Sequence, residues 1–252
     1  MGVSSARRPE NSLITVIMRA GSLVPVDETT CQVWWAAPGL ARSWHEELLT
    51  PAESDRMIRF RRQEDRNRLV VGNALLRLTV AQALGCPVEQ VDIGRSCPDC
   101  QKPHGKPTVV GHDLHVSVSH SGNRIAVAIT RVAEVGVDVE QVDPRTPIAE
   151  LLANVLSPGE AAEDMDFHTR WARKEAVLKA TGLGLRTRMS KLTLGPTGLV
   201  AFTGRPDLVG SCSLHDLKPG PGYAAAVAVL TDQPVTVAEH DGSWLLDRGD
   251  DA

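Results

Sequence analysis

Aromatic side chains are scarce in this sequence: five Trp, three Phe and one Tyr make up 4% of 252 residues. Proteins that hold single-stranded nucleic acid stack bases on aromatic faces and line the backbone path with Lys and Arg. Here the formal net charge is -4, so both parts of that signature are missing and nucleic acid is not expected as a partner. No apolar run approaches the roughly 20 residues that span a bilayer, so no membrane partner is expected. The short run in "NSLITVIMRA" lacks the length and small-residue cleavage pattern of a secretory signal. "MGVSSA" has Ala6 where the myristoylation pattern needs Ser or Thr. Five cysteines, an odd number with no secretion signal, read as reduced thiols. The expected location is the cytoplasm.

What is present suits a globular protein. With 42% hydrophobic and 23% charged residues, the chain can bury a full core as one large domain or two half-size lobes. "CQVWWAAP" reads as a strand closed by Pro38 and Gly39. Thr50, Pro51 and Glu53 form a capping-box start for a helix through "TPAESDRMIRF". A longer helix follows in "QEDRNRLVVGNALLRLTVAQALG", with Leu69, Ala74 or Leu76, and Val80 on a recurring face and Gly85 as its stop. The segment "CPVEQVDIGRSCPDCQKPHGKP" reads as irregular, "LHVSVSHSGNRIAVAI" as a hairpin and "EVGVDVEQVDP" as a strand. "SPGEAAEDMDFHTRWARKEAVLKATG" reads as a helix capped by Ser157 and Pro158, and short strands with Gly and Pro turns follow.

The two helices are each followed at a similar distance by an alanine- and valine-rich strand, "SGNRIAVAI" and "PGYAAAVAV". This echo predicts two similar lobes. The expected division is a loose N-terminus over 1–12, a first lobe over 13–132, a second over 133–245 and a loose tail over 246–252.

The chemistry concentrates in a few stretches. In "VGVDVEQ" the strand period of two puts Asp138 and Glu140 on one face, their roots roughly 7 Å apart. A hard divalent cation would relieve their repulsion, and magnesium takes a few carboxylates together with substrate phosphate oxygens. The alternative is an edge strand with two solvated acids. In "HTRWARKEAVLKATGLGL", Trp171, Glu175 and Leu178 share a helix face, so a third carboxylate sits between apolar neighbours. Lys174 and Lys179 flank it, and Lys179 suits phosphate; a simple Glu175–Lys179 pair along the helix is the other reading. "HGKP" places Lys106 between a flexible Gly and the stiff Pro107, and "SVSHSGN" offers Ser119, His120 and free amides at a turn. The arginine run "RMIRFRRQEDRNR" completes a site for a polyanion, unless it is a solvated, ion-paired face. Cys97, Cys100 and His104, with His112 or His115 as a fourth ligand, have the spacing of a partial zinc site.

The order "GKP", "SVSHSG", "GVDVE", "WARKEAVLKATGLGL" resembles the 4'-phosphopantetheinyl transferases of the surfactin-synthetase-activating (Sfp) type, over residues 48 to 230. The resemblance implies an α+β fold of two similar lobes with pseudo-twofold symmetry, with coenzyme A in the cleft between them and both lobes in one monomeric chain. It implies transfer of the 4'-phosphopantetheine arm of coenzyme A to a serine of apo acyl or peptidyl carrier proteins, releasing adenosine 3',5'-bisphosphate. Carried over by motif, Asp138, Glu140 and Glu175 would hold magnesium, and Glu175, directly or through a metal-bound water, would take the serine proton. Lys179 would offset charge on the leaving phosphate. Lys106, Pro107, Ser119, His120, Arg56 and Arg68 would bind the nucleotide and its phosphates. The acidic carrier would dock near Arg59 to Arg68 or near Arg186 and Arg188. Two departures stand out. Glu53 occupies a position where some members have a lysine for coenzyme A, and the family chemistry has no use for zinc. A module that binds carrier or coenzyme A without catalysis is the alternative.

Overall fold

The protein is described by a computed structural model over residues 26–97, 100, 102–196 and 198–247. Strand β1 (Thr30–Ala36) leads through a short helix α1 (Ser43–Glu46) to α2 (Pro51–Arg59) and the long α3 (Gln63–Leu84). The β2 (Ile93–Ser96), β3 (Pro103–Val109), β4 (His115–Ser121) and β5 (Arg124–Thr130) strands complete the first half. The second half runs β6 (Val135–Gln141), α4 (Ile148–Val155), α5 (Phe167–Ala180), β7 (Leu192–Gly195), β8 (Gly198–Phe202), β9 (Ser213–Asp216), β10 (Tyr223–Val229) and β11 (Thr236–Asp241).

The halves repeat one plan. In the first, β4, β5 and β1 lie side by side; in the second, β9, β10 and β6 do so, each central strand antiparallel to both neighbours. Each half adds a two-stranded ribbon, β2 with β3 and β7 with β8. α3 packs on the first sheet through Leu75, Leu76, Val116 and Ile125, and α5 on the second through Ala176, Val177, Ala226 and Ala228. A third core, including Cys31, Val33, Ala128, Val137, Val139 and Val227, lies between the sheets. The fold is therefore α+β with two similar lobes. The chain end returns to the first half: β11 lies parallel to β1, and Leu245 and Leu246 enter the first core. The last strand of the second expected lobe thus completes the sheet of the first. Leu246, expected at the start of a loose tail, is 2% exposed. The expected loose segment 1–12 and the final residues from 248 lie outside the described residues.

Local chemistry explains the elements. Thr50 and Glu53 form the expected box: Thr50 Oγ1 accepts from Glu53 N at 3.3 Å and Glu53 Oε2 accepts from Thr50 N at 2.9 Å. Gly85 ends α3 in the left-handed region at φ 65°. From Leu69 to Gln82 every residue of α3 is buried, so the expected single apolar face is wider than predicted. The segment expected to be irregular contains β2 and β3, whose pairing slips at Arg95 and so lacks a clean alternation. The helix expected from Ser157 starts at Phe167, capped by Asp166, whose carboxylate accepts from Thr169 N at 3.0 Å. Ser157 instead donates its N–H to Glu160 at 2.9 Å in a turn, and α4 and β11 were not anticipated.

The sheets meet where β4 runs beside β6 without a backbone ladder. The hydroxyls of Ser117, Ser119 and Ser121 accept from the N–H groups of Val137, Val139 and Gln141 at 3.1, 3.3 and 3.0 Å. Alternate side chains of one strand thus satisfy alternate amides of the other. Ser117→Ala would leave the buried Val137 N–H without its acceptor, so urea unfolding should show a loss of about 1–3 kcal/mol. An unchanged midpoint would mean that this hydroxyl contributes nothing to the seam.

Candidate active site

Gly136 positions the site. A Cβ there would lie 2.0 Å from Ala176 O and 2.3 Å from Ala180 N, so only glycine lets β6 press against the α5 backbone. Two residues on, Asp138 comes under the last turn of α5. Lys179 Nζ donates to Asp138 Oδ1 at 2.6 Å, Ser119 Oγ at 2.8 Å and Val137 O at 3.1 Å. Ser119 Oγ in turn donates to Asp138 Oδ1 at 2.9 Å. With Val139 N and Lys179 as donors to it, that hydroxyl is saturated. Ser119 therefore serves the site by holding Asp138 and Lys179. The alternative reading, a Glu175–Lys179 pair along the helix, is not met among the described residues; Lys179 pairs with Asp138 instead.

Asp138 and Glu140 share a face of β6 as expected, and Glu175 approaches from α5. Asp138 is 2% exposed, and its Oδ2 is buried without a hydrogen-bond partner. Glu140 Oε2 accepts from Ser121 Oγ at 3.1 Å. Burial and the Asp138 charge push the Glu140 carboxyl up to about 7. Glu175, 9% exposed, is raised for the same two reasons, partly offset by Lys179. Three acids against one lysine leave the cluster short of positive charge. Among the described residues no three His, Cys, Asp or Glu side chains are arranged as a ready metal site. The donor chemistry nevertheless fits a hard cation: all donors are carboxylate oxygens, and one is buried and unsatisfied.

Lys174, the other flanking lysine, is fully buried and structural. Its Nζ donates to Glu160 at 2.5 Å and to the carbonyls of Val155, Leu192 and Met189 at 2.6, 2.7 and 3.3 Å. Trp171 packs with Phe167, ring centroids 5.8 Å apart. With Glu140 and His168 they line a cavity of about 130 Å³ next to the acids.

Arg56, Arg68 and His120 come together around a second cavity of about 190 Å³. Arg68 is anchored by Asp65 at 2.5 Å and by the carbonyl of Gly122 at 2.8 Å. Arg56 sits 5.9 Å from the Phe60 ring. Glu53 and Arg95 also line this space. Glu53 is held by Arg77 at 2.8 Å, a pairing that the sequence separation of 24 hides. Arg95 was missed because its segment reads as irregular; a basic residue between Gly94 and Ser96, ten residues before "GKP", was the available signal. Lys106 does not join either group: its ammonium pairs with Glu134 and donates to Ala180 O at 2.8 Å, at the end of α5. Pro107 follows it on β3. Of the expected zinc ligands, Cys97 is buried, Cys100 is exposed and the His104 side chain lies outside the described residues. His115 faces Asp113 and Glu134, each at 3.4 Å.

A carboxylate cluster with a lysine on one side of the lobe seam, and an arginine-lined cavity near the other, suit a phosphate-bearing ligand. Comparison with known proteins agrees. A family model described as 4'-phosphopantetheinyl transferase superfamily matches residues 134–238, and one described as 4'-phosphopantetheinyl transferase, N-terminal, matches residues 37–131. The 4'-phosphopantetheinyl transferase psf-1 of Bacillus pumilus is 31% identical over 193 residues, 72% of this chain and 78% of that protein. AcpT of Escherichia coli K12 is 34% identical over 191 residues, 71% of this chain and 83% of the relative. Sfp of Bacillus subtilis 168 is 26% identical over 195 residues, 71% and 81% of the two chains. The chain belongs to the 4'-phosphopantetheinyl transferases, and it is a transferase.

The raised Glu140 carboxyl predicts a pH dependence. In metal-free protein its folded form holds a proton that the unfolded chain releases near the ordinary value of 4.5, so this group makes stability fall as pH rises from 4.5 to about 7. Glu140→Gln should flatten that part of the thermal-midpoint profile. Parallel profiles for parent and variant would remove the assigned shift.

Proposed function

We propose that the chain transfers the 4'-phosphopantetheine arm of coenzyme A to a serine hydroxyl of an apo carrier protein, releasing adenosine 3',5'-bisphosphate. The observation that carries this reading is the Asp138 carboxylate, with one oxygen fixed by Lys179 and Ser119 and the other buried and free. Asp138, Glu140 and Glu175 are the residues that would hold magnesium. Bound there, the ion would neutralise the pyrophosphate of coenzyme A and polarise the phosphorus under attack.

Glu175 is the proposed base. Its raised pKa brings it toward the range in which a carboxylate takes a proton efficiently at neutral pH. The serine oxygen attacks phosphorus, its proton passes to Glu175, and the bond to the nucleotide phosphate breaks. Lys179 supplies fixed positive charge beside the cluster, held from three directions so that it loses little freedom during the reaction. Arg56, Arg68 and His120 bind the nucleotide end across the seam. Lys106, tied to Glu134 and the end of α5, holds the first lobe's β3 against the second lobe.

The carrier is read as a protein with an acidic docking helix. α2 presents Ile58, 68% exposed, in a basic neighbourhood that continues through Arg59 to Arg68, which suits such a helix. With both lobes in one chain, a monomer suffices for one cleft, and a cytoplasmic location belongs to the same reading. Among the described residues no helix is long and apolar enough to cross a membrane.

Incubation with coenzyme A, magnesium and apo carrier proteins of fatty-acid, polyketide and peptide-synthetase type should add one phosphopantetheine group to a carrier, read by intact mass. Glu175→Gln keeps the shape and removes the base, so turnover should fall by about 10² or more with folding intact. Near-normal turnover of this variant at saturating magnesium would reassign the base.

A further inference from the structure

Tyr223 joins the two lobes from behind the acids. In the sequence it stands only at the head of "PGYAAAVAV". In the fold it opens β10 opposite Gln141 of β6, next to the Ala224–Glu140 pair. The strand period therefore turns its side chain away from Glu140 and α5, toward the core between the sheets, where it packs half-buried. Its hydroxyl nevertheless reaches the turn between β4 and β5 and accepts the Asn123 N–H at 2.8 Å. That turn lies 100 residues earlier in the chain and belongs to the first lobe.

The turn is gripped from several directions. Gly122, at φ 52°, lies so close that a Cβ there would fall 2.6 Å from the Tyr223 hydroxyl and against the Gln141 amide oxygen. The Arg124 guanidinium sits 5.3 Å from the centroid of the Tyr223 ring and donates through Nε to Pro219 O at 2.6 Å. The place of this turn matters because of what it carries. Ser121 Oγ donates to Glu140 at 3.1 Å, on the side of the carboxylate cluster. Gly122 O accepts from Arg68 Nε at 2.8 Å, on the side of the arginine-lined cavity. One short turn thus orients a group at each end of the cleft, and the phenol fixes its central amide.

We infer that Tyr223 is a positioning residue: through its hydroxyl it holds the Ser121–Arg124 turn, so that Ser121 orients Glu140 while the Gly122 carbonyl orients Arg68. This rests on the function proposed above. Tyr223 faces away from the acids and acts only through the turn. A turn shared by two groups passes any displacement to both, so loss of the hydroxyl should be felt at the acids and at Arg68 together. A neutral hydrogen bond of this kind is modest, and its loss corresponds to a change of about threefold to tenfold. A phenyl ring would fill the same space, so the hydroxyl can be removed alone.

The test is calorimetric titration with coenzyme A, without and with magnesium, of the parent, Tyr223→Phe, Ser121→Ala and the double variant. The parent should bind coenzyme A, and more tightly with magnesium. Tyr223→Phe keeps the ring beside Arg124. It should weaken metal-free binding about threefold or more, which reports the Arg68 side, and cut the gain from magnesium by a similar factor, which reports the Glu140 side. Ser121→Ala should cut the gain from magnesium by itself, and adding Tyr223→Phe should cut it no further, because the two residues act in series. Thermal midpoints of the four proteins report folding; a packing role alone would move these and leave the gain from magnesium unchanged. Tyr223→Phe with either binding quantity unchanged overturns the inference. So does an intact gain in Ser121→Ala, or a double variant in which the two losses multiply. If the parent does not bind coenzyme A, the proposed function itself fails, and the role of Tyr223 with it.

Discussion

The seam between the lobes is held by serine hydroxyls, and the site depends on that choice. A backbone ladder between β4 and β6 would bring the strands to ordinary sheet spacing and engage every second peptide group. The hydroxyls of Ser117, Ser119 and Ser121 reach the β6 amides instead. Because Ser119 also touches Asp138 and Lys179, and Ser121 touches Glu140, the groups that join the lobes are the groups that orient the acids. Any opening of the seam would release Asp138 and Lys179 together. Chemistry and lobe packing are therefore one network, coupled through side chains with few rotamers to choose from.

The same strand shows how much was legible in the sequence. The period-two alternation in "VGVDVEQ" placed Asp138 and Glu140 on a common face, and the capping box at Thr50 and the glycine stop at Gly85 were visible as local rules. These features are short-range, so a linear reading captures them. Ser157, Pro158 and the following acids also look like a helix start, yet Glu160 is engaged by Lys174 and Leu194 N, so tertiary partners keep this stretch in a turn. The β2–β3 ribbon was hidden because its register slips and the sequence between its strands is rich in cysteine and proline. β11 could not be foreseen, as a parallel partner some 200 residues from β1 leaves no local pattern.

Within the site, identity was easier to read than partnership. Glu175, Lys179, Asp138 and Glu140, singled out from spacing and resemblance, come together in the folded chain. That Lys174 is a buried tether and Lys179 the partner of Asp138 depends on which side of α5 faces the strands. Lys106 looked like an anion ligand beside a flexible glycine, and the folded chain binds it to Glu134 and a helix-end carbonyl. Burial decides these cases: a lysine amine taken from water needs several acceptors, and the acceptors come from distant parts of the chain.

The repeated plan also carries a chemical asymmetry. In the second lobe Asp138 stands opposite Ala226 of the central strand; in the first lobe the corresponding place, opposite Val127, holds Trp34. Trp34 is 1% exposed, stacked on His240 and covered by the strand that returns from the chain end. The place that a buried carboxylate takes in the second lobe is therefore taken by a buried indole in the first, so the two copies of the frame differ in polarity at matched positions.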